Sequence, residues 1–163
     1  MAHLLIGFRT YKAKKNIETT LMSWGLNHDT IHCELFFTDY LPTQRFSSWN
    51  GTGVGFRAIS SENMGDLSEW SFYDLGQDRY YQALYIAQNL QGKGYDLKTA
   101  IMSSMGLITN NQEAYFCSEI CFSVLYESGI NLLPVIASIV LPHELEFMLR
   151  GQFPKVQLTD YIR

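Results

Sequence analysis

Long hydrophobic runs, positive charge and cysteine are all in short supply in this sequence, and each shortage removes a class of function. The most apolar stretch is INLLPVIASIVL, residues 130–141; it falls short of the roughly 20 residues a spanning helix needs, and Pro134 interrupts it. Lys and Arg number 12 against 16 Asp and Glu, for a formal net charge of −4, and the one basic cluster is KAKK at 12–15. Nucleic-acid binding needs a basic face, so no nucleic-acid partner is expected. Three cysteines are an odd count without framework spacing, which argues against a disulfide scaffold and for a reducing compartment. No low-complexity tract or internal repeat is present. MAHLLIGFRTYK holds too short an apolar run for a signal peptide, Ala2 is incompatible with myristoylation, and DYIR is no prenylation signal. The expectation is a soluble, cytoplasmic protein with no membrane span; non-standard export or a place in a virion fits equally well.

What is present suits an ordinary globular chain: 47% hydrophobic, 14% aromatic and 163 residues, enough for one domain over 1–163 with its own core. HLLIGFR (3–9), IHCELFF (31–37), QRFSS, GVGFRAI (53–59) and EWSFYDL (69–75) have strand character, with turn residues between them. Their short loops predict an antiparallel meander. Helical spacing appears at 16–25, from Asp78 as a cap to about residue 91, and from Asp96 as a cap onward. It returns from Cys117 to a stop at Gly129, and from Pro142 to Leu149; KVQLTDYI can come back as an edge strand. Strands first and helices after predict an α+β fold, an antiparallel sheet packed against helices.

In EAYFCSEICFSVLYESG (113–129) a cysteine stands where strand character gives way to helix. Cys117, Ile120, Cys121, Val124 and Leu125 share one helix face, so packing alone accounts for a buried thiol there. A helix N-terminus also stabilises a thiolate. Choosing between packing and chemistry needs a base. His3 and His28 have no acidic neighbour at useful spacing, and His143, beside Glu144 in the first turn of a helix, fits a surface position. His32 differs: Glu34 lies two residues on, on the same strand face, while Cys33 points the other way. A histidine and a carboxylate on one face of an apolar strand are costly to bury for packing alone. Cys117 and Cys121 lack further ligands at metal spacing, so zinc is not expected. Glu119 is placed to support the helix N-terminus.

IHCELFF, GYDLKTAIM and YFCSEICFSVLYESG, in that order, resemble the permuted papain-like cysteine hydrolases, the branch of the NlpC superfamily that includes YiiX and YaeF. In that branch a His-x-Glu strand comes first, a Tyr-Asp precedes a helix, and a Cys-Ser-Glu opens the nucleophile helix. A Pro-x-Asp-Leu-like segment follows, matched here by LPHEL at 141–145 with Glu144 in the acidic place. The resemblance spans about residues 3 to 150. It implies a circularly permuted papain-like (NlpC-type) fold, Cys117 as nucleophile and His32 as base. Glu34 matches the strand carboxylate that would orient His32. If 31–37 pairs with 43–49, Ser47 or Ser48 can take that role, leaving Glu34 for a substrate amine. Tyr95, Ser47 and Ser48 are the implied substrate-binding residues; Asp96 and Tyr95 also have plain roles as cap and core aromatic.

The implied activity is that of a cysteine peptidase or amidase-like hydrolase, cleaving an amide or peptide bond, cell-wall peptides among them, through an acyl-thioester on Cys117. No metal or organic cofactor is implied. Two alternatives stay open: a lipid acyltransferase or thioesterase with the same triad, and a non-catalytic binding or structural module, as in a phage or viral particle.

Overall fold

The structure is a computed structural model that describes residues 2–10, 29–39, 42–60, 64–95, 114–135, 137 and 140–162. Eight strands and three α-helices lie within these residues: β1 (Leu4–Thr10), β2 (Thr30–Phe37), β3 (Gln44–Trp49), β4 (Gly53–Ala58), β5 (Trp70–Asp74), α1 (Tyr80–Leu90), β6 (Gly94–Tyr95), β7 (Ala114–Tyr115), α2 (Cys117–Glu127), α3 (Pro142–Leu149) and β8 (Lys155–Val156). The architecture is α+β. Six strands form one antiparallel sheet in the order β4-β3-β2-β1-β5-β8, and β6 and β7 form a short parallel pair.

The meander expected from the short loops holds from β1 to β4 and fails at β5. Instead of pairing with β4, β5 crosses back to the free edge of β1, with Gly7 opposite Phe72 and Arg9 opposite Trp70. The reason lies in β1, LLIGFRT, whose first five residues are buried on both faces. A strand apolar on both sides belongs inside a sheet, and only a partner on its second edge puts it there. Gly7 is required by that position: a Cβ there would lie 2.8 Å from ring atoms of both Phe36 and Phe72. KVQLTDYI does reach the sheet edge, but only Lys155–Val156 pair with β5.

Two cores result. On one face Leu4, Ile6, Phe8, Cys33, Leu35, Phe37 and Phe46 pack beneath α1, α2 and α3. On the other, Leu5, Phe36, Met64, Trp70, Phe72 and Leu158 form a smaller aromatic cluster. The helix stop at Gly129 is a Schellman turn: φ is +83°, the Ile130 N–H donates to the Leu125 carbonyl at 3.1 Å and the Gly129 N–H to Tyr126 at 3.0 Å. Asp78 does not cap α1; Arg79 holds the cap position with no side-chain bond, because the helix begins one residue later than its acidic cap would require. The helix at 16–25, the helix capped by Asp96, and His28 lie outside the described residues. No helix among the described residues is long and apolar enough to cross a membrane.

Candidate active site

The site forms where the sheet opens. The β2–β3 ladder covers Leu35↔Phe46, Phe36↔Arg45 and Phe37↔Gln44 and goes no further toward His32, although β2 stays paired with β1 through Arg9↔His32 and, past a bulge, Thr10↔Thr30. On the β3 side the backbone of Cys33 therefore has other partners. Its carbonyl accepts the Ser47 hydroxyl at 2.8 Å and the Cys121 thiol at 3.7 Å.

The first turn of α2 closes this opening, held by side-chain bonds. The Ser48 hydroxyl donates to the Tyr115 carbonyl at 2.7 Å, tying the strand before the helix to β3. The Ser118 hydroxyl donates to the Val140 carbonyl at 2.7 Å. Glu119 reaches back to accept the Phe116 N–H at 3.4 Å, which supports the helix start as its position suggested. Cys117 is the first helical residue, after Phe116 in extended conformation, and is 2% exposed.

Within this frame Cys117 meets Cys33 and His32. The Cys117 thiol is held well below its ordinary range, first by a hydrogen bond from the Cys33 thiol and then, against the opposing effect of burial, by the charge and hydrogen bond of His32 and a bond from the Cys33 N–H. The Cys33 thiol is pushed up, chiefly by burial and then by its bond to Cys117, so it remains a donor. For His32, burial favours the neutral ring, but the Cys117 charge and hydrogen bond, followed by those of Glu34, outweigh it and raise the imidazole to about 10. Both shifts favour a thiolate–imidazolium pair.

Behind His32 sits a buried carboxylate. His32 Nε2 lies 2.8 Å from Glu34 Oε1, which leaves Nδ1 for the thiol. Arg45 Nη1 donates to both Glu34 oxygens at 2.9 Å, and Trp49 Nε1 donates to Oε1 at 3.1 Å. Burial would push the Glu34 carboxyl up; the bond and charge of His32, then Arg45 and Trp49, prevail and lower it. Trp70 stands edge-on to the His32 ring at 6.4 Å and completes the wall.

Cys117, His32 and Glu34 are thus brought together. Ser47 and Ser48 are close by, but both are fully buried with their hydroxyls donating to the Cys33 and Tyr115 carbonyls. These bonds tie the frame together, and Glu34 is the residue whose side chain contacts His32. Tyr95 pairs with Tyr115 through its backbone, and its side chain lies outside what is described. His3 has an acidic partner that spacing did not reveal, Asp74 at 2.9 Å from Nδ1, 71 residues away in sequence. His143 is half-buried rather than at the surface. It borders a cavity of about 450 Å³ between α3 and the segment before it, whose apolar walls are Leu133, Val135, Val140, Phe147 and Met148.

Arg45, Trp49 and the Cys33 thiol were missed in the sequence. Arg45 pairs with Phe36, two residues from Glu34 on β2, so it shares the Glu34 face only once the β2–β3 register is set.

No family model and no curated protein matches the sequence. In structure the chain is similar to the metalloprotein YiiX of Escherichia coli O157:H7, with a TM-score of 0.62 and 12% identity over 96% of each chain. The chain has a YiiX-like fold.

Proposed function

We propose that the chain is a cysteine hydrolase that cleaves an amide or peptide bond through an acyl-thioester on Cys117. The observation that carries this is His32, a ring in contact with a buried cysteine on one side and a buried carboxylate on the other. That is the arrangement thiol catalysis needs: a nucleophile, a base, and a group that orients the base. The likeness in fold to YiiX agrees with a permuted papain-like hydrolase.

The Cys117 thiolate attacks the carbonyl carbon. The first-turn N–H groups of α2, which have no intrahelical partners, face the developing oxyanion. As the C–S bond forms and the C–N bond breaks, the His32 imidazolium gives its proton to the leaving amine. Neutral His32 then takes a proton from water, hydroxide attacks the thioester, and the acid leaves as the thiolate–imidazolium pair is restored. Glu34 keeps the His32 ring in one tautomer and orientation throughout.

The structural neighbour is a metalloprotein. Here, among the described residues, no group of three or more His, Cys, Asp or Glu side chains is placed to hold a metal ion. His32 Nε2 and both Glu34 oxygens are already committed to each other and to Arg45. These residues do not fit a metal, and no step is routed through one.

A second reading, transfer or hydrolysis of lipid acyl groups by the same residues, is favoured by the apolar cavity beside α3. Val140 lines it and accepts the hydroxyl of Ser118, the neighbour of Cys117.

The test is to incubate wild type and Cys117→Ala with peptide amides and with short- and long-chain thioesters, reading acyl-enzyme by intact mass. An adduct on wild type alone, formed from amides, supports the peptidase reading; one formed only from long-chain thioesters supports the acyl reading. No adduct and no turnover with either class leaves a binding module as the better account.

A further inference from the structure

We infer that Arg45 is a positioning residue of this site: by clamping Glu34 it keeps the shared proton on His32 and thereby the negative charge on Cys117. The inference rests on the proposed thiolate–imidazolium pair and extends it one shell outward.

Three donors converge on a single oxygen. Glu34 Oε1 accepts from His32 Nε2 at 2.8 Å, Arg45 Nη1 at 2.9 Å and Trp49 Nε1 at 3.1 Å, while Oε2 accepts from the same Arg45 nitrogen at 2.9 Å. Both side chains of the ion pair are almost wholly enclosed, 3% exposed for Arg45 and 2% for Glu34. Such a pair is a poor device for stability alone, since two apolar residues in its place do as well or better. What it does that apolar residues cannot is determine where a proton resides.

Without the guanidinium, Glu34 is a desolvated carboxylate touching a protonated imidazole. In that setting the proton moves from nitrogen to oxygen, because two neutral groups are cheaper to bury than two charged ones. A neutral His32 no longer favours the Cys117 thiolate. With Arg45 in place Glu34 has a compensating charge on its other side, and protonating it would leave the guanidinium alone in the core. Trp49 reinforces the clamp, since Arg45 lies 5.5 Å from its ring centroid.

The other charged and titratable groups around this chain of contacts leave the role to Arg45. Arg9, opposite His32 on β1, is bonded to Glu69 at 3.0 Å. Arg57 on β4 stacks on the Trp49 ring at 4.1 Å and bonds to Thr52. From α2, Glu119 turns to the Phe116 N–H and Cys121 to the Cys33 carbonyl. On α3, Glu146 accepts from Thr30 and Tyr73. Among the described residues, Arg45 is the cation bonded to Glu34 apart from His32 itself.

The experiment is the pH dependence of Cys117 alkylation by iodoacetamide, read by peptide mass spectrometry in wild type, Arg45→Gln and Arg45→Lys, with circular dichroism to confirm folding. Expected is a thiolate limb in wild type well below the free-cysteine value of about 8.5. In Arg45→Gln the limb moves up toward that value and alkylation at pH 6 slows at least tenfold; Arg45→Lys recovers part of the loss. A folded Arg45→Gln with an unmoved limb overturns the inference and leaves the pair intact. A wild-type limb already at the free-cysteine value overturns both. Should Arg45→Gln not fold, nitrogen-15 and carbon-13 NMR of the wild type decides: imidazolium at His32 with ionised Glu34 at pH 6–8 supports the inference, and a neutral pair overturns it.

Discussion

The thiol and the backbone N–H of Cys33 both act to hold the Cys117 thiol below its ordinary range. The two residues are far apart in sequence and lie on different elements, and they meet because the β2–β3 ladder ends at Leu35. The thiol of one cysteine thereby becomes part of the environment of the other.

Removing that donor separates it from the amide, which any residue supplies. Cys33→Ala is expected to shift the alkylation limb of Cys117 upward, and Cys33→Ser to shift it less because a hydroxyl still donates. A hydrogen bond to a charged group contributes roughly 1.5–3 kcal/mol, so about a tenfold or greater slowing at neutral pH is expected for the alanine variant. Identical limbs for alanine, serine and wild type would show that the side-chain bond does not matter.

The charge pair also sets a pH window for stability. His32 is raised to about 10, so its contribution is complete below the unfolded value of 6.5 and is lost as pH rises through about 10. Cys117 is lowered, so its contribution is complete above the unfolded value of 9.0 and is lost as pH falls through its folded value. The two are one interaction. Between 6.5 and 9.0 the folded pair and its unfolded counterparts hold the same number of protons, and this contribution is flat there. Denaturant unfolding across pH 5–11 is expected to show that plateau falling on both sides, and His32→Ala is expected to abolish the fall on the alkaline side. If His32→Ala retains the alkaline fall, it has another source.

Glu34→Gln tests the carboxylate without changing its shape. The amide leaves Arg45 buried without a counter-charge, and breaking a buried pair this way costs about 3–5 kcal/mol. Urea unfolding of the variant is the check, and a loss below about 1 kcal/mol would show that the Arg45–Glu34 pair behaves like a solvent-exposed one. Because the Glu34 carboxyl is lowered, wild type keeps this contribution above the unfolded value of 4.5 and loses it only as pH falls through the folded value, further into acid.

Local periodicity explains which parts were legible. Period 2 put His32 and Glu34 on one face of β2, and period 3.6 with Gly129 and Pro142 located α2 and α3. Features that depend on strand order were not legible. Pairing of β5 with β1 depends on a β1 strand apolar on both faces. A lone arginine in QRFSSW resembles an exposed edge residue until Glu34 is placed beside it. Cys33 points away from His32 along β2, yet both reach Cys117, because a ladder that stops early lets a helix end into the gap. No periodicity encodes that interruption.

Gly7 offers a test in which the chemistry is untouched. It lies opposite Glu34 on β2 and Phe72 on β5, and its missing side chain lets the Phe36 and Phe72 rings close over the sheet. Alanine would place a Cβ 2.8 Å from both rings, too close without displacing them. Overpacking of this kind costs about 1–3 kcal/mol. The rings pack with Trp70, which in turn flanks His32, so their displacement reaches the wall of the site. Gly7→Ala is therefore expected to lower stability by that amount and slow Cys117 alkylation only slightly, since no donor to the thiolate or to Glu34 is removed. A Gly7→Ala protein as stable as wild type would mean the two rings move aside freely, and the aromatic cluster would then not be the rigid wall behind His32.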